Sequence, residues 1–442
     1  MDTRKKGKKI IRFLLLLFLV AFFLLPRKSE VSMGLFYFCF GIFVYTSYIY
    51  FKSKHKINYF DFDTLFVVLY GLCMFVTTFL YNNEVLYKAL FLGYIFDTQY
   101  VNSGNILSTI GILSYYYGGL CCFYSRENNT ACRKSIIPTS GLCLTLAILV
   151  ALFFVSGGVA YSKAAYQDGV GSYSSIITYV LLLITYSSIV IIASEYYNKR
   201  HFPDYHIKKQ TFYLVSLIVA ILLLGGSRSD ASYIVIPIIA LFAHFFRPIK
   251  KTEMFIFFFL GIVFMWFIGQ IRSGEGIDSV SNPVLYLIDL TVPSRNTYAV
   301  FEYIDHNGYT YGSSFVGLFS CIPFLSNLLS LTNGSSELLT QDFYANNPQY
   351  DLIGLGTTVV ADIYIAFGVF GVILIMYIIG KYASKIQFFA AKSDYYYIVA
   401  YAALMSISIF IVRGYCTIPL RPILWSWAIA YINVKIHKIE IR

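Results

Sequence analysis

Long apolar stretches recur along the chain and are separated by polar segments. A helix that crosses about 30 Å of hydrocarbon needs roughly 17–25 residues, because each residue adds about 1.5 Å. By this measure the pattern predicts an all-α polytopic membrane protein with about twelve transmembrane helices. The predicted helices lie near residues 10–25, 31–51, 64–81, 105–124, 138–156, 173–194, 210–226, 231–246, 254–270, 356–380, 395–412 and 420–434.

One polar break is far longer than the others. Residues 271–355 separate the ninth predicted helix from the tenth, and a structureless connection of this length is uncommon in folded proteins. The segment is rich in aromatic and apolar residues, so we expect it to be partly helical and to pack on the membrane face. The chain then divides into residues 1–270 with nine helices, the loop 271–355, and residues 356–442 with three helices.

Composition excludes a single water-soluble domain and explains the net charge. The chain is 58% hydrophobic and 13% charged, whereas soluble domains carry about 25% charged residues. If the N-terminus lies in the cytoplasm, 25 of the 34 Lys and Arg residues fall on the cytoplasmic side and nine on the outer side. This asymmetry follows the positive-inside rule, so it predicts two cytoplasmic termini and an outward-facing long loop. The net charge of +11 therefore reports topology, and no nucleic-acid partner is predicted.

Cysteine and histidine residues give no pattern of a metal site. The chain contains no CxxC or HExxH motif and no Cys/His cluster, so neither a metal nor a cofactor is predicted. Cys321 and Cys416 fall on the outer side, where they either form a disulfide or remain separate thiols. His306 is the one histidine on that side.

The basic residues on the outer side are mostly arginine. Six arginines and three lysines lie on that side, whereas lysine predominates on the cytoplasmic side. Arginine is suited to bidentate binding of phosphate, so the excess favours an anionic ligand. The alternative is that single arginines cap helices or pair with acids, as Arg228 could with Asp230. The candidate ligands of a phosphate group are Arg228, Arg272, Arg295, Arg413 and Arg421.

Two glycine-containing segments lie at predicted helix ends on the outer side. Residues 225–230 form a tight turn that places Arg228 at the membrane surface. Gly356 and Thr357 open the tenth helix, whose N-terminus would either bind an anion or be capped in the ordinary way by threonine. Asp362 follows within the same helix, where a charged side chain is costly, so we expect it to have an arginine partner and a structural role.

The segment 293–308 carries the polar residues best suited to acid–base chemistry. Pro293 can begin a helix and Asn307-Gly308 can end one. At 100° per residue, the side chains of Arg295, Glu302 and His306 form one narrow stripe. In the functional interpretation Arg295 holds an anion, His306 is a general base and Glu302 orients it. In the alternative interpretation the stripe is a solvated face with an ordinary pair of residues four apart.

The last outer turn carries a further arginine on each side. Arg413-Gly414-Tyr415 precedes this turn, and Pro419-Leu420-Arg421-Pro422 follows it. The two prolines make the setting of Arg421 rigid. Arg413, Tyr415 and Arg421 are therefore candidate ligand contacts, although capping of helix ends or contact with lipid headgroups explains them equally well.

Several local motifs resemble those of one family of membrane proteins. They are Gly226-Ser227-Arg228, Tyr311-Gly312-Ser313-Ser314 leading to Ile322-Pro323, and Gly356-Thr357-Thr358 continuing through Asp362 to Phe367-Gly368. Together with twelve helices and a long outer loop before the last three, they resemble the Wzy O-antigen polymerases and the related O-antigen ligases. The resemblance covers most of the chain.

The resemblance implies a GT-C-like glycosyltransferase of the bacterial inner membrane whose active face is periplasmic. Its substrates would be undecaprenyl-pyrophosphate-linked glycans, and a polysaccharide chain-length regulator would be a further partner. The growing chain would pass from its lipid carrier to a hydroxyl group of a new repeat unit. Two other functions stay open at this point: an O-antigen ligase, which uses the same donor, and a flippase or another transporter of lipid-linked oligosaccharides.

Overall fold

The computed structural model describes residues 2–80, 98–122, 135–158, 174–224, 228–273, 292–322, 325, 334–348 and 354–439. Within these residues the regular secondary structure is entirely helical. The α-helices are α1 (Asp2–Leu24), α2 (Met33–Ser53), α3 (Phe62–Leu80), α4 (Val101–Cys121), α5 (Ser140–Val155), α6 (Ser174–His201), α7 (Lys209–Leu224), α8 (Arg228–Phe245), α9 (Lys251–Ser273), α10 (Asn296–Asn307), α11 (Ser335–Asn346), α12 (Val359–Ala391), α13 (Tyr395–Ser406) and α14 (Leu420–Ile436). Short 3₁₀ helices cover Thr98–Tyr100, Val292–Arg295 and Val316–Cys321.

Each of the twelve apolar segments overlaps a helix, and α10 and α11 lie in the long loop between α9 and α12. The eleventh segment, predicted as a helix over residues 395–412, is helical only to Ser406, and turns follow it. Among the described residues, three helices are long and apolar enough to cross a membrane by themselves: Met33–Ser53, Ile176–His201 and Val359–Ala391. Four shorter apolar helices accompany them: Phe62–Val76, Ser140–Val155, Lys209–Leu223 and Ser229–Phe245. The prediction of an all-helical membrane protein with a partly helical loop is therefore confirmed within the described residues.

Helix α4 lies at the centre of the bundle and packs closely along α12. Almost every residue of α4 is buried, including its serine, threonine and asparagine side chains. A Cβ atom added at Gly118 would overlap the carbonyl oxygen of Tyr377, and one added at Gly380 would overlap the carbonyl oxygen of Tyr115. The two helices thus approach each other backbone to backbone, as small residues allow in membrane bundles.

A buried carboxylate joins four helices beside this close contact. Asp63 accepts hydrogen bonds from the phenols of Tyr50 (3.0 Å) and Tyr115 (2.6 Å) and from the ammonium group of Lys54 (2.6 Å). Lys54 also donates to the hydroxyl of Ser384 (2.7 Å). Because these contacts satisfy most of the acceptor capacity of Asp63, they offset the desolvation of its charge and fix α2, α3, α4 and α12 relative to one another.

Helix α12 is broken near its first third. Gly368 adopts φ 65° and ψ −162°, which is not helical and is readily available only to glycine. The carbonyl oxygen of Ile365 accepts a hydrogen bond from the backbone N–H of Thr310 (2.9 Å), and the Tyr309 ring lies beside Gly368. The turn after α10 therefore docks onto the break and ties the long loop to α12.

The connection between α1 and α2 is fixed to the start of α4. The Asn102 side chain donates to the Ser29 hydroxyl (2.8 Å) and to the Glu30 carbonyl (2.7 Å), and it accepts from the N–H of Ser32 (3.0 Å). These three bonds satisfy a buried amide and hold residues 25–32 against the end of the bundle from which α10 and α11 also extend.

Candidate functional site

The residues that precede α10 pack beneath the start of α12. The Arg295 side chain is only 3% exposed, and its Nη2 atom donates to the carbonyl oxygen of Leu355 (3.4 Å). The neighbouring amide of Asn296 donates to the carbonyls of Leu355 and Gly356, both at 2.9 Å. Arg295, which was predicted to hold an anion, therefore lies in the interior of the protein and contacts its backbone.

The start of α12 is closed by contacts within the protein. Thr358 accepts the N–H of Ala361 through its hydroxyl (3.2 Å), and the N–H of Val359 donates to the carbonyl of Val412 (3.1 Å). Gly356 turns the chain with φ 69°, and Thr357 is 1% exposed. Ordinary threonine capping is thus confirmed. The N–H groups of Val359 and Ala361 already donate hydrogen bonds within the protein, so they are not open to an anion in this structure.

Asp362 is buried in the first turn of α12 and joins three segments. Its Oδ1 atom accepts from the hydroxyl of Ser335 in α11 (2.7 Å), and its Oδ2 atom accepts from the backbone N–H of Cys416 (2.9 Å). Among the described residues no arginine pairs with Asp362, and a serine hydroxyl and a backbone N–H bind its carboxylate. The thiols of Cys321 and Cys416 are both free in this structure.

Removing the Asp362 carboxylate should loosen this junction. In Asp362→Ala both buried donors lose their acceptor, which costs roughly 1–3 kcal/mol for each donor. Asp362→Asn keeps one carbonyl acceptor, so we expect about half of that loss. Thermal unfolding of the detergent-purified variants measures the difference. Ser335→Ala is the matched control, because it removes only one of the two bonds, and a Tm loss equal to that of Asp362→Ala would contradict the assignment.

A second carboxylate lies beside this junction on the surface. Glu337, in the first turn of α11, is exposed and accepts a hydrogen bond from the Tyr415 phenol (2.7 Å). Burial, together with this bond to Glu337, raises the pKa of Tyr415. Tyr415 was a candidate ligand contact, and the structure places it against α11. Glu337 was missed by the sequence analysis, because it is separated from Tyr415 by 78 positions.

His306 lies at the exposed end of α10 and faces another carboxylate. Its side chain is 48% exposed, and its Nδ1 atom is 3.7 Å from the Oδ2 atom of Asp342 in α11. Asn307 donates to the other oxygen of Asp342 (2.7 Å). Glu302 is half-buried one turn earlier on α10. Arg295 and His306 share one face, but eleven residues separate them by about 16 Å along the helix axis, so their side chains do not converge in this structure.

The outer arginines fall into separate surroundings. Arg413 lies close enough to the thiol of Cys73 in α3 to interact with it electrostatically. Arg421 and Asp230 both lie close enough to the phenols of Tyr186 and Tyr233 to interact with them electrostatically. The side chains of Arg228, the first residue of α8, and Arg272, in the last turn of α9, are outside the described part, as is the turn 225–227.

Cys321 lies close to Arg421. Burial raises the pKa of the Cys321 thiol, and the nearby charge of Arg421 partly opposes this shift. The carbonyl oxygen of Cys321 also accepts a hydrogen bond from the indole of Trp425 (2.7 Å), which fixes the 3₁₀ helix Val316–Cys321 to α14. Arg421 is thus held at a junction between the long loop and the last helix.

An ion pair at the same end of the bundle was not predicted. Arg27 lies 3.4 Å from Asp305 in α10, and Asp305 also accepts from the phenol of Tyr100 (2.7 Å). These residues come from three distant parts of the sequence, and no local motif marks them. Over the described residues there is no group of three or more His, Cys, Asp or Glu side chains that could hold a metal ion.

A known protein family matches nearly the whole length of the chain. The family model described as O-antigen polysaccharide polymerase Wzy matches residues 9–438. No curated protein and no solved structure matches the chain.

Proposed function

The chain belongs to the Wzy family of O-antigen polysaccharide polymerases, and on this premise we propose that it joins undecaprenyl-pyrophosphate-linked repeat units on the periplasmic face of the bacterial inner membrane. The family implies a membrane glycosyltransferase-type polymerase that acts on lipid-linked glycans. The observation that carries the proposal is the extent of the match, which includes all fourteen described α-helices wholly or in part. The ligase alternative shares the donor, but the family model that matches is described as a polymerase.

The proposed topology has twelve membrane spans in a GT-C-like arrangement, with both termini in the cytoplasm. The distribution of lysine and arginine supports it, because the basic residues concentrate on one side. Residues 1–270 and 356–442 would supply the spans, and residues 271–355 would form the periplasmic loop with α10 and α11. A chain-length regulator would then meet the protein in the same membrane.

The proposed reaction transfers a glycan from its lipid carrier. The bond between the anomeric carbon and the pyrophosphate oxygen breaks, and a new bond forms from that carbon to an acceptor hydroxyl oxygen. His306 takes the hydroxyl proton on its Nε2 atom, because its Nδ1 atom faces Asp342. Asp342 then shares with Glu302 the proposed role of orienting the imidazole.

The leaving pyrophosphate needs positive charge near the membrane surface. Arg413 and Arg421 are half-buried and flank the same turn, so they are the first candidates for this contact. Arg228 and Arg272 would approach from the ends of α8 and α9. Arg295 and Thr357 are buried and Gly356 is half-buried, so these residues would position the start of α12 or meet the ligand only after this region opens.

Gene deletion in the host tests the function directly. We expect the deletion strain to accumulate lipid A-core that carries a single repeat unit, and the wild-type gene to restore long chains. Gel electrophoresis of the extracted polysaccharide separates these products. Loss of all repeat units would indicate a ligase, and cytoplasmic accumulation of lipid-linked units would indicate a transporter, so either result would overturn the proposal.

A further inference from the structure

Four aromatic rings lead from the interior to the surface near the end of α10. The ring centroids of Phe301 and Tyr364 are 4.7 Å apart, those of Tyr364 and Tyr309 are 6.0 Å apart, and those of Tyr309 and Tyr311 are 6.4 Å apart. Phe301 and Tyr364 are each 1% exposed, whereas Tyr311 is 83% exposed. The outermost ring is thus supported from behind by buried neighbours, while its own surface is open.

Tyr311 has a backbone conformation that is unfavourable for a tyrosine residue. Its φ of 49° lies in the left-handed region, which residues other than glycine, asparagine and aspartate rarely adopt. The flanking turn is fixed by the bond from Thr310 to Ile365 and by the N–H of Ser313, which donates to Thr310 (3.0 Å). A large ring that is both exposed and held in a strained turn is a sign of function rather than of packing.

Charged groups of both signs border the rings. The guanidinium of Arg27 lies close enough to the phenols of Tyr309 and Tyr364 to interact electrostatically, and it pairs with Asp305 at 3.4 Å. Half of the Arg27 side chain and about a third of the Asp305 side chain are exposed. The surface therefore offers a flat apolar ring, hydrogen-bond donors and a carboxylate acceptor, and the Arg27–Asp305 pair is itself neutral.

We propose that Tyr309, Tyr311, Arg27 and Asp305 form a subsite for a pyranose ring of the acceptor glycan, an inference that rests on the proposed function. The C–H face of a sugar packs on an aromatic ring, while its hydroxyls donate to a carboxylate and accept from a guanidinium. Because the pair is neutral, it suits hydroxyl groups better than a phosphate. Asp305 directly precedes His306 on α10, so this subsite lies on the face of the helix next to that of the proposed base.

Two substitutions at Tyr311 separate the ring from the fold. Tyr311→Asn removes the ring and relieves the backbone strain, so it should fold at least as well as the wild type. Tyr311→Phe keeps the ring. Phe319→Asn is the matched control, because Phe319 is an exposed aromatic residue (40%) of the same loop outside the row of rings.

Binding is measured by saturation-transfer NMR on the full-length protein in nanodiscs. The probe is the oligosaccharide repeat unit, released by mild acid from the surface polysaccharide of the host. We expect Tyr311→Asn to weaken binding about five- to tenfold, the loss anticipated for one aromatic contact, and Tyr311→Phe and Phe319→Asn to change it less than about twofold.

The outcomes distinguish this inference from the function on which it rests. If the wild-type gene fails to restore long chains in the deletion strain, the proposed function is wrong. If the wild type restores them but Tyr311→Asn binds the probe as the wild type does, the subsite is wrong. Equal loss of membrane-extracted protein in Tyr311→Asn and Phe319→Asn, with unchanged probe binding, would assign Tyr311 to the lipid interface and would also overturn the subsite.

Discussion

Gly380→Leu should prevent the protein from accumulating in a folded form. Any side chain at this position meets the carbonyl oxygen of Tyr115, which is backbone and cannot move without displacing α4. Overpacking of a flexible core typically costs about 1–3 kcal/mol, and a clash with rigid backbone costs more. We expect little or no monodisperse protein in size-exclusion chromatography of the solubilised membrane fraction. Gly118→Leu should behave in the same way, because it meets the carbonyl of Tyr377 from the other side.

The matched controls are glycines in apolar helices with open space around them. Among the described residues, no atom outside the helix's own neighbouring backbone lies within 4 Å of a Cβ added at Gly41 in α2 or at Gly261 in α9. Gly41→Leu and Gly261→Leu should therefore accumulate as the wild type does, and their higher helix propensity should slightly favour folding. A folded, monodisperse Gly380→Leu protein would show that α4 and α12 do not pack as closely as described.

His306→Ala should abolish long-chain polysaccharide while the protein remains in the membrane. The side chain is half-exposed and makes one ion-pair contact, so its removal should change stability little. Loss of a general base lowers a rate by about 10²–10⁴-fold, enough to leave mainly single repeat units. Gel analysis of the polysaccharide and immunoblotting of the membrane fraction measure the two effects separately.

A histidine on the other predicted side serves as the control. His437 follows the last helix, and within the described part of the chain its ring bonds to the carbonyl of Asn433 in the same segment (2.9 Å). His437→Ala should leave chain length unchanged. Asp342→Asn and Glu302→Gln, measured in the same strain, show which acid supports His306, since the structure brings Asp342 rather than Glu302 next to Nδ1. Full-length chains from His306→Ala would remove its catalytic role.

Local patterns predicted the helices well because their causes are local. Each of the twelve apolar segments overlaps a helix, and Asn307-Gly308 marked the end of α10, where Gly308 takes φ 78°. The start of α12 was predicted at Gly356, a few residues before Val359, because the capping threonine acts locally. The periodicity predicted one polar face for Arg295, Glu302 and His306, but it could not predict that Arg295 would be buried while His306 is half-exposed.

Contacts between distant segments could not be predicted in this way. Asp362 meets the backbone N–H of Cys416, 54 positions away, and a backbone group leaves no trace in composition. The partner of His306 comes from α11, whose position depends on how the whole loop folds back on α12. Arg27, Asp305 and Tyr100 meet because three connections converge at one end of the bundle. One sequence without its relatives contains no record of such convergence.

The break at Gly368 separates the length of α12 into two independent parts. An unbroken helix of 33 residues would measure about 50 Å, far more than a bilayer accommodates without tilt or mismatch. The part after the break is about 35 Å long, which matches the hydrocarbon thickness by itself. The part before the break receives the loop at Ile365 and also packs on α4, where Val360 lies beside Gly111. The membrane-spanning length of α12 therefore does not depend on the part of the helix that receives the loop.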